Sequence, residues 1–230
     1  MKNKYFFVLI LGIYFWGFVS VAQATSLIIS GVIDGPLTGG TPKAVEFYVL
    51  NDIADLSIYG FGSANNGGGS DGVEFHFTAG PAVAGDFLYV ATETTGFLNF
   101  FGLLPDYISS TANVNGDDAI ELFRDNSVVN VFGDINVDGT GQPWDYLDGW
   151  VYRNSGTGGL DTITFALSEW YVSSSNALDG ETANSAAGNP FPIGTYSTEP
   201  LAPLPSPEPV SLLLLGTGLV GLAGSRVPWR

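Results

Sequence analysis

Asp134, Asn136 and Asp138 place oxygen-bearing side chains at alternate positions, followed by Gly139 and Thr140, and Asp145 closes the twelve-residue segment. This is the spacing a hard cation such as calcium needs. Alternation aims the oxygens of Asp134, Asn136, Asp138, Thr140 and Asp145 inward, and Gly139 permits a sharp turn. Against it, the twelfth residue is Asp rather than the longer Glu, and no helices flank the segment. The competing reading is an acidic Asp/Asn/Gly turn between strands. Asp117, Asp118 and Asp148 are further candidates for ions or for paired-carboxylate catalysis, as in glycosidases whose carboxyls stand about 5–10 Å apart. In so acidic a chain such pairs arise by chance, and Asp117 and Asp148 read as turn residues. His76 lies on the polar phase it shares with Glu74, between Phe75 and Phe77, with no partner for a triad or a metal cluster. Trp144, Tyr146, Trp150, Tyr152, Trp170 and Tyr171 concentrate after residue 140. Exposed, they would stack on sugar rings; Trp150 and Tyr152 share one strand face, so core packing is expected.

Composition narrows the chemistry. The 230 residues carry 23 acidic and 7 basic side chains, one histidine and no cysteine, for a formal charge of −16. Nucleic acid is excluded as a partner, because phosphate binding needs a basic patch. Disulfides, thiol nucleophiles and zinc–cysteine clusters are excluded too. With 45% hydrophobic residues and 16 Phe, the chain is too apolar to be disordered through charge.

The elements that must position these residues are strands. Short β-branched and aromatic runs, separated by Gly, Asn and Asp, predict strands over 26–34, 44–50, 56–61, 73–77, 87–92, 119–123, 127–132, 148–153 and 170–173. Arg124-Asp125-Asn126 reads as a hairpin turn. Helical spacing is confined to one or two turns over 94–101. Turn signals at roughly ten-residue intervals predict an all-β fold, a β-sandwich, and a domain of this size buries a full core without disulfides.

The two ends read as transport segments. Residues 1–24 open with Lys2 and Lys4, continue apolar and finish Ala22-Gln23-Ala24, the pattern of a signal peptide cleaved between Ala24 and Thr25. The alternative is an uncleaved anchor. At the other end, a Pro-rich linker over 200–206 precedes an uncharged apolar run over 210–224, then Arg226 and Arg230. Fifteen helical residues span about 22 Å, short of the ~30 Å hydrocarbon core, so this transmembrane helix suits transient retention. Between the ends, 25–199 keeps three basic residues, Lys43, Arg124 and Arg153, and all but one of the 23 acids. Such a domain attracts divalent cations.

Pro207-Glu208-Pro209, the glycine-containing apolar run and the basic end together resemble a PEP-CTERM sorting signal, over residues 207–230. The resemblance implies export by the Sec machinery, recognition of Pro207, Glu208 and Pro209 by an exosortase-type membrane protease, and delivery to the cell surface or an extracellular polysaccharide matrix. The departure is a sparser basic cluster at the end. A plain C-terminal membrane helix is the alternative.

A second resemblance covers about 26–133. The strand Lys43-Ala44-Val45-Glu46-Phe47-Tyr48-Val49-Leu50-Asn51, then Asp55-Leu56-Ser57-Ile58-Tyr59-Gly60-Phe61, Gly85-Asp86-Phe87-Leu88-Tyr89-Val90-Ala91 and Asn115-Gly116-Asp117-Asp118-Ala119-Ile120-Glu121-Leu122-Phe123 are similar to the lamin-tail-like domain. That family implies an immunoglobulin-like sandwich serving as an accessory module on secreted proteins. The Gly-rich 64–72 and everything after Phe132 depart from it. Together the readings predict a non-enzymatic secreted surface or matrix protein, with a calcium-dependent carbohydrate-binding or adhesion module as the alternative and a secreted hydrolase third.

Overall fold

The computed structural model describes residues 25–159 and 163–199. Ala24, the linker 200–206, Pro207, Glu208, Pro209 and the apolar run 210–224 lie outside the described residues; Thr25 is the first within them and is buried.

The chain runs through β1 (Leu27–Leu37), β2 (Thr41–Val49), β3 (Tyr59–Ala64), β4 (Phe75–His76), β5 (Phe87–Ala91), α1 (Thr94–Phe101), β6 (Tyr107–Ile108), β7 (Ala119–Arg124), β8 (Ser127–Phe132), β9 (Trp150–Arg153) and β10 (Trp170–Val172). Six strands form one sheet in the order β10-β9-β1-β2-β5-β6, and four form the other in the order β4-β3-β7-β8. All pairings are antiparallel except β5 with β6. The predicted all-β sandwich is therefore the architecture. Two details differ from the sequence reading. Residues Leu56–Ile58 form a 3-10 turn rather than the start of a strand, because the Asp55 side chain accepts from the Ser57 amide and caps it. The two-residue β6 carries too little pattern to be read locally.

β1 shows how the layers arise. Strict alternation would put residues 27, 29, 31 and 33 on one face. A register shift between Ile29 and Gly31 interrupts it and changes the phase. Leu27, Ile29 and Val32 consequently face the small sheet, while Ile28 and Ile33 face outward. β2 alternates cleanly opposite, with Val45, Phe47 and Val49 in the core between the sheets. From the other side come Tyr59 and Phe61 of β3, Ile120 and Leu122 of β7, and Phe132 of β8. Phe132 meets Trp144, Tyr146, Phe165 and Trp170 at centroid distances of 4.8–5.9 Å. Each such ring contributes about 2 kcal/mol by burial, and each favourable aromatic pair about 1 kcal/mol beyond that.

The outward face of the large sheet is buried as well. Phe97 and Phe100 of α1, with Leu178, Phe191 and Tyr196 from the C-terminal part, cover Ile28, Ile33, Ala44, Trp150 and Tyr152. Glu93 caps α1 through the Gly96 amide, 2.7 Å away, and Gly102 ends it in the left-handed region. Gly31 is needed here: a Cβ would lie 2.5 Å from the Phe191 ring and 2.8 Å from that of Tyr152. Its missing side chain lets the C-terminal segment lie flat on the sheet.

Two buried polar clusters lock the layers. Arg153, 1% exposed, donates from Nε to the Ile29 carbonyl, from Nη2 to Asn130 Oδ1 and from Nη1 to Glu169 Oε2, at 2.8–2.9 Å. Its guanidinium lies 4.2 Å from the centroid of Trp170. Asn130 Oδ1 also accepts from the Ile29 amide, so β8 of one sheet is joined to β1 and β9 of the other. Burial lowers the Arg153 pKa to about 10. Lys43 Nζ is 2.5 Å from Asp34 Oδ1 and also donates to Asn115 Oδ1 and the Val114 carbonyl.

Candidate functional site

The acidic segment after β8 is the first place to look for an ion. Asp134, Asn136, Asp138 and Thr140 are exposed, and Asp145 is half-buried. Each carboxylate serves its own turn. Asp134 Oδ1 accepts from the Asn136 amide at 3.0 Å, and Asp138 Oδ1 from that of Thr140 at 2.9 Å. Asp145 accepts from the amides of Gly141 (2.7 Å) and Leu147 (3.0 Å). These are Asx-type turns. Among the described residues no group of three or more His, Cys, Asp or Glu side chains is arranged to hold a metal ion. One carboxylate oxygen each of Asp134 and Asp138, and both of Asp145, thus accept backbone amides.

Gly139 has a different role from the one its spacing suggests. Its backbone is outside the left-handed region. A Cβ there would lie 2.6 Å from both the Trp144 ring and the Asp117 carbonyl. Close packing, not a sharp calcium turn, calls for glycine. Thr140 donates to Asp117 Oδ2 at 3.2 Å, and the amide and hydroxyl of Thr140 hold the Asp138 carboxyl below its usual pKa. Asp117 Oδ1 is buried without a partner. Asp118 is fully buried; its two oxygens accept from the amides of Asn66 (3.1 Å) and Asn115 (3.0 Å), and burial pushes its pKa up. The Gly-rich loop therefore docks on this segment rather than standing free, and Gly69 donates to the Ile135 carbonyl. Asp148 adopts a left-handed conformation, its amide donating to Asp34 Oδ2 and its carbonyl accepting from Leu178. Both Asp117 and Asp148 are turn residues, as the sequence suggests.

The aromatics concentrated after residue 140 are mostly core: Trp144, Tyr146, Trp150, Tyr152 and Trp170 are all at most 6% exposed. Tyr171 differs, lying on the outer face stacked on Trp150 at 5.2 Å and half exposed. His76 is exposed on the short edge strand β4.

Two carboxylates escape sequence reasoning. Glu46, on the outward phase of β2, is 2% exposed. Its Oε1 accepts from the hydroxyls of Ser30 (2.7 Å) and Tyr152 (2.8 Å), and Oε2 from the Gly194 amide (2.8 Å). The Tyr152 oxygen in turn accepts from the amides of Thr195 and Tyr196. Residues 194–196 are thereby strapped to the sheet, and burial pushes the Glu46 pKa up to about 7. Glu121 is the second. It pairs with Gly62 on one side and Val131 on the other, is 3% exposed, and lines a groove of about 580 Å³ over the outer face of the small sheet. Neither had a local signal beyond being an acid inside an apolar run.

No protein-family model, no curated protein and no solved structure matches the chain.

Proposed function

We propose that the chain is a non-enzymatic exported protein, a β-sandwich of lamin-tail-like, immunoglobulin-like type carried to the cell surface or polysaccharide matrix by an exosortase-type sorting tail. The observation that carries this reading is the tail, Pro207-Glu208-Pro209 followed by an uncharged apolar run and Arg226 and Arg230, and the strap is compatible with it. Residues 194–196 are fixed to the large sheet through Glu46 and Tyr152, only a few positions before the Pro-rich 200–206 and Pro207-Glu208-Pro209. On this reading, cutting at Pro207-Glu208-Pro209 leaves the strapped, folded part of the chain whole. At the other end, β1 begins at Leu27, two residues after the proposed cleavage at Ala24–Thr25. The antiparallel hairpin β7–β8, closed by Asp125 and Asn126 in left-handed conformations, and the strand β2 are the parts that support the lamin-tail resemblance.

Intact-mass measurement of the protein recovered from its native host tests the proposal. The expected species begins at Thr25 and ends at or near Pro207, with any attached group read from the excess mass. Recovery of all 230 residues in the membrane fraction overturns it.

A further inference from the structure

The groove over β7 and β8 is not used by the proposed function, and its chemistry is specific. Ile120 and Leu122 point into the core, so Glu121 between them points to the opposite face. There it is 97% shielded yet makes no hydrogen bond or ion pair among the described residues. Around it stand Val128, Val131, Ile135 and Phe165, with Asp134, Asn136 and Thr164 also on the lining and Ile163 65% exposed. A carboxylate so enclosed by mainly apolar walls, with a second acid, Asp134, on the same lining, calls for a positive or donating partner. The three described cations cannot supply one: Lys43 is held by Asp34, Arg153 by Glu169, and Arg124 lies beside Asp125. The volume of about 580 Å³ falls within the range of small-molecule sites, in which apolar walls surround a few polar groups.

We propose that this groove binds an organic ammonium ion, a cationic amine on a short apolar body, with the nitrogen against Glu121 and the body between Val128, Val131 and Ile135. Anionic and neutral ligands of the same shape are disfavoured, the first by repulsion and the second by leaving the carboxylate unpaired. The chain's formal charge of −16 raises the local concentration of cations, while the apolar walls select among them.

Calorimetric titration of the full chain in non-ionic detergent micelles, with empty micelles as the blank, tests this. The probes are phenethylamine, 2-phenylethanol and 3-phenylpropanoate, which share a body and differ in head group. Phenethylamine is expected to bind saturably at one site, at least tenfold tighter than the alcohol, with no binding of the carboxylate. Glu121→Gln, nearly isosteric, weakens the amine at least tenfold and leaves the alcohol unchanged. Val128→Lys places a tethered ammonium in the groove and abolishes amine binding. Asp125→Asn, which removes an exposed charge outside the groove, has no effect. Equal binding of alcohol and amine, an unaltered amine affinity in Glu121→Gln or Val128→Lys, or a parallel loss in Asp125→Asn each overturns the proposal. Near-ultraviolet circular dichroism of each variant confirms that it is folded.

Discussion

Glu46→Gln, followed across pH, tests the account of the strap. The Glu46 carboxyl has an ordinary value of 4.5 and rises to about 7 in the folded protein, chiefly because burial disfavours the charged form. A folded value raised above the unfolded one means that the native state binds the proton more tightly. The resulting stability is fully present below pH 4.5 and is lost as pH rises through about 7. At 1.36 kcal/mol per tenfold change in proton affinity, the loss is about 3 kcal/mol between pH 4.5 and pH 8.5. For a domain of this size that corresponds to a Tm about 6–12 °C lower at the alkaline end. The neighbouring titratable groups do not share this range. The hydroxyls of Tyr152 and Tyr89 are pushed well above their ordinary value by burial and by Glu46 itself.

Glutamine in that place accepts from Gly194 and donates to Ser30. The Tyr152 hydroxyl, whose oxygen already receives two amides, loses its acceptor. That loss costs about 1 kcal/mol, so the variant is less stable than wild type at pH 5. At pH 8.5 the order inverts, the variant being more stable by about 1.5 kcal/mol. Thermal unfolding of both proteins, monitored by circular dichroism between pH 5 and 8.5, is the assay. The buried Asp34 and Asp118, also raised by burial, contribute equally to both, so only the difference matters. Two parallel curves would refute the reasoning.

Truncating Arg153 to Ala strands the Ile29 carbonyl, Asn130 and Glu169, and is expected to cost about 3–5 kcal/mol in urea unfolding; a cost under 1 kcal/mol contradicts the inter-sheet role. Gly116→Ala combines a φ of +83° with a Cβ driven into the Leu147 backbone, so it should lower Tm strongly. Gly141→Ala, with φ +71° and open space, should cost only about 1 kcal/mol from conformation alone. Because the carboxylates of Asp134 and Asp138 already cap their own turns, the double change to Ala should lower Tm by a few degrees with or without millimolar calcium. A calcium-dependent rise in the wild type that is missing from the double variant would instead assign calcium to this segment.

The strands were legible because each carries its signal locally. β5, β7 and β8 fall within a residue of the runs from which they are predicted and β2 within three, and the Asp125-Asn126 turn closes where the polar residues sit. The candidate site was legible only in part. Asp134, Asn136 and Asp138 have the sequence spacing of a cation loop, but spacing does not reveal whether backbone amides or a metal take their oxygens. Gly139 shows the same limit, since glycine spacing looks alike whether a turn or a neighbouring indole requires it.

By itself, then, the sequence determined the all-β character, the turns and the excess of acid over base, all of which depend on neighbours within about ten residues. Tertiary structure decided which faces are covered. Glu46 and Glu121 both sit on the outward phase of their strands, where alternation predicts water. One is sealed by residues 194–196 nearly 150 positions away, the other by the walls of a groove built from Val128, Ile135 and Phe165. A period-two pattern reports which side a residue faces, and only the folded chain brings the segment that makes that side wet or dry.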